Sequence, residues 1–536
     1  MGRMPRIGGQ LKPSVTRMAR HGIREGGAWC STGRSGMGSA KAARGAAPGG
    51  AAWDPRRRRV VQHRAARHGV RKNGAEEQQE ESGRMTGAGM PEEIRIRIPD
   101  KVEKVLSALH QAGFEAYAVG GCVRDSILGR TPDDWDITTN ALPGQVKQVF
   151  RRTIDTGIEH GTVTVRFEGE SFEVTTYRLD GKYEDHRHPD NVSYTRNLRE
   201  DLMRRDFTVN AMAYNDRDGL VDLFGGLSDL RDQVVRCVGS PRERFDEDAL
   251  RVLRAVRFCA KLGFRLDPAT KEAATQMAPS LSFISAERIR TELEKLITSP
   301  HPEEMRLAYE CGITAVVLPE FDAEMAAVQN NHHHRLTVGE HTIRTMMAAA
   351  PDRTLRWTML LHDCGKPSVQ RLDEKGVYHY HGHAAPGAEI AEKVLRRLKC
   401  DKASMRDIVH LVRNHSLYPA LSEEGVRRAV VQLTPRLFPV FLQVKRSDIR
   451  GQNPEVQADK LDYMDKVEEI YHRVVDRGDC LSLKELALTG NDLIGMGFQR
   501  GAQIGDILGK LFDEVLQDPS LNTKEYLMER AKLLTL

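Results

Sequence analysis

Two aspartates one residue apart, Asp134 and Asp136, follow a short apolar run (Tyr117-Ala118-Val119), a glycine pair (Gly120-Gly121) and an Arg-Asp pair (Arg124-Asp125). Residues i and i+2 of a strand face the same way, so the two carboxylates are expected on one face. Side by side they repel unless a cation sits between them, and their hard oxygens suit Mg2+. The glycine turn lets backbone N–H groups approach a phosphate, and Arg124 adds a bidentate donor. Together these features imply nucleotidyl transfer from a metal-bound triphosphate. A glycine pair alone is a turn and a lone D-x-D is a solvated loop; the ordered combination is what makes the reading specific. Glu173 lies where a third carboxylate would help, although an exposed strand acid explains it equally well.

The segment starting at Glu247, E-D-A-L-R-V-L-R-A-V-R-F, spaces Asp248, Arg251, Arg254 and Arg257 along one helical stripe. Elsewhere this would be a solvated face with an intrahelical ion pair. Beside a triphosphate it has another use. Cytosine and adenine both present a ring acceptor next to an amino donor, whereas guanine and uracil present the reverse. A fixed Arg251 donor beside a fixed Asp248 acceptor admits the first two and leaves a buried charge unpaired against the others. Arg254 and Arg257 are then available to the triphosphate. In 204–211 (R-R-D-F-T-V-N-A), Arg204 and Arg205 suit phosphates, and Asp206 and Asn210 suit a ribose.

The elements that must hold these groups are legible in outline. Val102, Val105, Leu106 and Leu109 recur at helical spacing, 143–150 reads as a helix, and 161–167 with 171–177 alternate like a hairpin. Residues 178–200 are polar and aperiodic, a long loop of the kind that serves as a lid. From about Asp201 the pattern is helical almost to the end, clearest over 248–262 and 285–297. Breaks fall at 300–302, 329–334 and 451–454.

The chain has 536 residues, enough for several domains, with 40% hydrophobic and 29% charged residues and no apolar run long enough to cross a bilayer. The eight cysteines stand singly without a C-x-x-C pair, which indicates neither a zinc ribbon nor a disulfide framework and points to a reducing cytoplasm. The net charge of +5 is unevenly spread. Residues 1–74 hold 17 Lys/Arg against two acids, and the rest holds 63 bases against 73 acids, so any RNA contact in the folded part depends on local basic clusters. Residues 1–90, rich in Gly, Ala and Arg, lack apolar periodicity. An RNA-binding arm, a targeting peptide and a translation start at Met85 or Met90 all fit; the abrupt onset of patterning at Pro91 favours the last.

The set 120–125, Asp134-Trp135-Asp136, 204–211 and 247–251 resembles the class II nucleotidyltransferases of the poly(A) polymerase superfamily, specifically bacterial CCA-adding tRNA nucleotidyltransferases, over roughly residues 92–536. The resemblance implies an α+β chain: a nucleotidyltransferase head with a small mixed β-sheet (91–220), then a helical neck for base and RNA binding (221–325), body (326–450) and tRNA-binding tail (451–536). It implies that Asp134 and Asp136 hold two Mg2+ ions, one activating the tRNA 3′-hydroxyl for attack on the α-phosphate of CTP or ATP and the other steadying pyrophosphate. Gly121, Arg124, Arg205, Asp248, Arg251, Arg254 and Arg257 would bind the nucleotide. The tRNA acceptor end and elbow would be recognised by shape, with Lys445, Arg446, Lys460, Arg473 and Arg477 as contact candidates. Residues 155–163 (D-T-G-I-E-H-G-T-V) have the CCA-adding form rather than the basic element of poly(A) polymerases, and the full-length 178–200 loop favours complete CCA addition over CC-only or A-only addition. No membrane partner is implied, and oligomeric state is not legible.

A second chemistry lies in the body. His341, His362-Asp363, His381-Gly382-His383, His415 and Asp448 resemble the HD phosphohydrolase pattern, in which His341, His362, Asp363 and Asp448 would hold a divalent transition metal. One of His332-His333-His334 could be a further ligand. A metal-dependent phosphohydrolase or phosphodiesterase is the alternative or second activity, although a retained HD fold could also serve only as a tRNA-binding body.

Overall fold

The computed structural model describes residues 94–180, 192–330 and 336–534. The basic arm (1–90), the centre of the expected lid loop (181–191) and the His332-His333-His334 run lie outside the described residues.

The head is built on a seven-stranded mixed sheet. In chain order its strands are β1 (Ala116–Val119), β2 (Ile137–Thr139), β3 (Thr153–Gly157), β4 (Thr162–Phe167) and β5 (Glu170–Thr176), then β8 (Met212–Asn215) and β9 (Gly219–Asp222); β6 (Arg178–Asp180) and β7 (Val192–Tyr194) form a separate hairpin. The spatial order is β3-β4-β5-β2-β1-β8-β9, with β2 and β5 parallel and the other pairs antiparallel. Alternation along β1 splits the head core in two. Ala116 and Ala118 join Ile137, Val174 and the buried stripe Val102, Val105, Leu106 and Leu109 of the Asp100–Gln111 helix. Tyr117 and Val119 face the other way, with Tyr177, Leu202 and Ala213. Each fully buried Leu or Val contributes about 1.5–3 kcal/mol, so the sheet is stiff at the strand ends where the candidate site lies.

β8 and β9 correct the expectation of continuous helix after Asp201. Met-Ala-Tyr-Asn has no β-branched residue, yet all four positions of β8 are buried between β1 and the edge strand β9. Beyond the head the chain is helical apart from two-residue pairings, Val234–Val235 with Arg265–Leu266 and Arg371–Leu372 with Tyr378–His379. The Leu250–Leu262 helix buries ten of its 13 residues and packs against Ala286–Ile297. One hydrophobic cluster runs from the head through the neck into the body, so these parts share a core. The Gln457–Asp476 helix contributes Met464, Val467, Ile470 and Val474 to the cluster of the preceding helices, and a further cluster lies in the tail from Cys480 onward. No helix among the described residues is long and apolar enough to cross a membrane.

Candidate functional site

The D-x-D pair lies in the lead-in to β2 rather than within a strand, although the Asp136 carbonyl still accepts from Val119 N at 3.0 Å and continues the ladder. The parallel register sets Ile137 opposite Val174, so one step back Asp136 lies beside Glu173. Burial, then the charge of Asp134, raises the Asp136 pKa to about 6; Arg205 opposes this and Glu173 adds to it. The negative charges of Asp134 and Glu173 both act on the Asp136 carboxyl. All their donors are hard oxygens, and a divalent ion would relieve the repulsion, which fits Mg2+.

Gly120 turns the chain into the Gly121–Ile127 helix at φ +83°, and a Cβ there would stand 3.0 Å from Arg205 Nη1. Glycine is therefore required for Arg205 to lie across the turn. Arg205 approaches Asp201 at 3.5 Å, and its Nε is buried without a hydrogen-bond partner. Arg124 departs from the sequence expectation. It is 2% exposed, and its guanidinium donates to Asp125 Oδ1 (2.8 Å), Asp125 Oδ2 (2.7 Å) and Asn210 Oδ1 (2.5 Å). Its fork supports the turn from beneath instead of facing a phosphate.

The neck readers also differ from the single stripe. Asp248 caps the end of the Pro241–Glu247 helix with φ −142°, ahead of the Leu250–Leu262 helix, so Asp248 and Arg251 do not occupy one continuous helix. Asp248 accepts from Arg288 Nη2 (2.7 Å) and Leu250 N (3.1 Å). Arg251 donates to Glu247 (2.5 Å), Arg244 O (3.1 Å) and Arg204 O (3.1 Å). Each is held by its own partners, and Arg251 ties the neck to the 204–206 segment. The expectation that Arg254 and Arg257 are free for a triphosphate fails. Arg254 donates to Asp206 (3.0 and 2.5 Å). Arg257 is buried, donates to Glu292 (2.9 Å) and lies 3.6 Å over the Phe258 ring. Asp206, buried by the same network and bonded to Asn210, is held well below the usual carboxylate range by Arg254 despite its burial. The Arg254–Asp206 pair ties the neck to the head, and the buried Arg257–Glu292 pair ties two neck helices together. The sequence carried no pointer to Arg288 or Glu292 beyond their places four apart on a helix.

In the body five helices deliver six side chains to one point. His341 lies in Val338–Ala348 and Asp448 in Phe438–Gly451; His362 ends Arg353–Leu361 with Asp363 next; His415 ends Lys402–Asn414; and His383 starts Ala384–Arg397. Each imidazole turns Nδ1 to a backbone carbonyl: His362 to Met359 (2.7 Å), His415 to Val412 (2.7 Å), His383 to Tyr380 (2.9 Å) and His341 to Gly451 (3.2 Å). The first two use last-turn carbonyls that a helix leaves unsatisfied. All four Nε2 atoms then point inward. His341 Nε2 lies 3.1 Å from Asp448 and 3.5 Å from Asp363, and His362 Nε2 lies 3.3 Å from Asp363. His383 Nε2 is 3.3 Å from Asp363 and 2.9 Å from His415 Nε2. Gly365 makes this possible, because a Cβ there would lie 2.2 Å from His383 O and 2.6 Å from Gly387 N.

Among the described residues, two triads have ligand atoms mutually close enough for a metal, His341-His362-Asp363 and Asp363-His383-His415. Burial and the neighbouring His362 charge lower His415 to about 3, keeping it neutral. His362 rises to about 9: burial opposes its charge, but Asp363 and Asp448 outweigh burial. A proton on His362 thus answers the demand for positive charge that a metal would meet, and facing imidazole acceptors fit the same group. The expected four ligands come together, His383 and His415 join them, and the exposed His381 stacks on His379 instead. Of the tRNA-contact candidates, Lys445 is 1% exposed, Arg446 is paired with Asp465 and Glu468, and Arg477 is paired with Glu423 and Asp479. Lys460 bonds Gln452, and the exposed Arg473 and Arg477 both lie near Glu423. They form no open basic patch.

The chain matches the poly A polymerase head domain over residues 116–236, the probable RNA and SrmB-binding site of polymerase A over 263–325 and the HD domain over 333–466. It is 50% identical to a CCA-adding enzyme of Lactobacillus helveticus over 438 residues, covering 80% of this chain and 96% of that one. The match to the CCA-adding enzyme of Limosilactobacillus fermentum is local, 53% identical over 193 residues, and spans 36% of this chain and 48% of that one. Among solved structures, the Bacillus stearothermophilus CCA-adding enzyme in complex with CTP superposes with a TM-score of 0.61 at 29% identity, covering 81% of this chain and 98% of that one. With a carboxylate-bearing polymerase head, its RNA-binding neck and near full-length likeness to a curated relative, the chain belongs to the CCA-adding enzyme family of nucleotidyltransferases.

Proposed function

We propose that this chain adds CCA to the 3′ end of tRNA from CTP and ATP without a template, working in the cytoplasm. The observation that carries the reading is the Asp134-Asp136-Glu173 cluster opposite Arg205. These groups hold the nucleotide's reacting end: the carboxylates retain Mg2+, and Arg205 at the glycine turn meets the triphosphate. When bound, Mg2+ would activate the tRNA 3′-hydroxyl and neutralise charge on the departing pyrophosphate. Arg124, Arg254 and Arg257 act behind this surface, holding the turn and the neck rigid. Asp248 and Arg251, each fixed by its own partners, present the acceptor and donor that cytosine and adenine complement. The test is incubation of the purified protein with 3′-truncated tRNA, Mg2+ and each NTP in turn, read at nucleotide resolution. Ordered addition of C, C and A is expected; equal extension with GTP or UTP overturns the assignment.

The converging imidazoles favour a second reading. The body is a metal-dependent hydrolase of phosphate esters, with His341, His362, Asp363, His383, His415 and Asp448 as ligands for one or two transition-metal ions. Such ions would polarise a phosphoryl oxygen and supply a nucleophilic water. Metal content measured on the purified protein, and its loss on substitution of the ligands, tests this independently of the head.

A further inference from the structure

Outside the six-ligand centre, the short antiparallel hairpin of the body, Arg371–Leu372 with Tyr378–His379, gathers three basic side chains. Arg371 and His379 are direct cross-strand partners, so their side chains leave the hairpin on one face. His381, two residues on, stacks on His379 with the rings 10° from parallel and 5.5 Å between centroids. The hairpin turn is well anchored. Asp373 Oδ1 accepts from Lys375 N and Val377 N, both at 2.9 Å, and Asn330 donates to Gly376 O (2.7 Å) and accepts from Tyr378 N (3.0 Å). The other Asp373 oxygen lies 2.7 Å from His379 Nε2 and fixes that ring. Both oxygens of the hairpin's nearest acid are thus engaged. Among the described residues the Arg371 guanidinium and the His381 imidazole make no hydrogen bond and no ion pair.

Arg371, His379 and His381 line one cavity of about 330 Å3, together with Ser368, Val369 and Gln370. Ser368 Oγ already donates to Gly365 O (2.7 Å), and Gln370 Nε2 donates to Val328 O (3.2 Å) and the Tyr380 hydroxyl (3.3 Å). The groups left for a ligand are therefore a permanently charged planar fork and the exposed His381 ring. The cavity has the size of a small-molecule site and does not admit an RNA duplex. A metal does not suit it, because among the described residues the groups close enough to share an ion include neither His379 nor His381. An oxyanion suits the fork, and a flat heteroaromatic ring suits the stacked imidazoles. A nucleotide carries both.

We propose that the Arg371-His379-His381 pocket binds one nucleotide, with its phosphate on Arg371 and its base stacked on His381, either as a free mononucleotide or as an unpaired nucleotide of an RNA strand. The pocket holds its ligand without hydrolysing it, shares no residue with the six-ligand centre and depends on neither reading above. Full-length protein in Mg2+ buffer is irradiated with 8-azidoadenosine 5′-monophosphate, and the adducts are located by peptide mass spectrometry, which separates this pocket from the nucleotide site of the head. Labelling is expected within residues 366–383. Arg371→Gln and His381→Ala should each reduce it about tenfold, as expected for a lost charge-assisted bond and a lost stack. His381→Phe should retain it, and the urea midpoints of all three variants should not move, since the substitutions lie on an exposed hairpin. AMP should displace the probe at least tenfold better than adenosine or inorganic phosphate, because base and phosphate are both held. Stronger displacement by tRNA ending in CCA than by AMP assigns the pocket to RNA, and the reverse assigns it to the free nucleotide. Absence of label from 366–383, unchanged labelling in Arg371→Gln, or displacement by neither AMP nor tRNA overturns the proposal. Equal loss in His381→Phe and His381→Ala overturns the stacking of the base.

Discussion

Replacing Asp136 by Asn should make the metal-free protein more stable while abolishing nucleotide incorporation. The Asp136 carboxyl titrates at about 6, against an ordinary 3.8, because burial and the charge of Asp134 disfavour its ionised form. A folded-state pKa above the unfolded one means that the folded protein binds more protons between the two values. Stability is thus fully present below about pH 4 and is lost as pH rises through 6. A shift of about two units corresponds to about 3 kcal/mol, and residual water at this partly buried group reduces that to about 1–3 kcal/mol. Asn keeps the shape and removes the charge, so the gain should appear above pH 6 and vanish near pH 4. The assay is urea denaturation of both proteins in EDTA at pH 4.5, 6 and 7.5, repeated with saturating Mg2+. Mg2+ should stabilise the unsubstituted protein at pH 7.5 and leave the variant unmoved. A variant that is less stable at every pH, or whose gain does not depend on pH, would show that Asp136 does not share a crowded carboxylate site.

Other outcomes follow from the same geometry. Asp134→Ala should lower CMP and AMP incorporation by about a thousandfold or more, while phosphate-ester hydrolysis in the body persists, each followed in its own assay. His362→Ala with Asp363→Ala should do the opposite, reducing bound transition metal to background by elemental analysis and leaving CMP incorporation intact. Arg257→Met strands Glu292 beside a partly paired Arg254 and should destabilise the protein by about 3 kcal/mol, seen as a lower urea midpoint. Arg251→Lys keeps the charge but loses the planar fork that spans Glu247, Arg244 O and Arg204 O; UTP incorporation relative to CTP should rise about tenfold, measured by single-nucleotide extension.

The chemistry was legible because it depends on residue type and close spacing. Asp134 and Asp136, the Gly120 turn and the His362-Asp363 pair are local in sequence, and the helices and hairpin that carry them follow periodicity. β8 escaped notice because burial between β1 and β9, rather than a β-branched sequence, makes it a strand. The Asp248 stripe misled because helical spacing holds only within one helix, and the chain breaks at Asp248. Above all, sequence lists arginines but not their partners. Arg124, Arg254 and Arg257 read as phosphate donors, yet folding brings Asn210, Asp206 and Glu292 across long stretches of chain, and a buried guanidinium must satisfy its donors within the core. The sequence alone determined which groups could bind metal and phosphate. Only tertiary packing decided which of them are turned into the core, because a guanidinium buried against a distant carboxylate, as Arg257 is against Glu292, cannot reach a ligand.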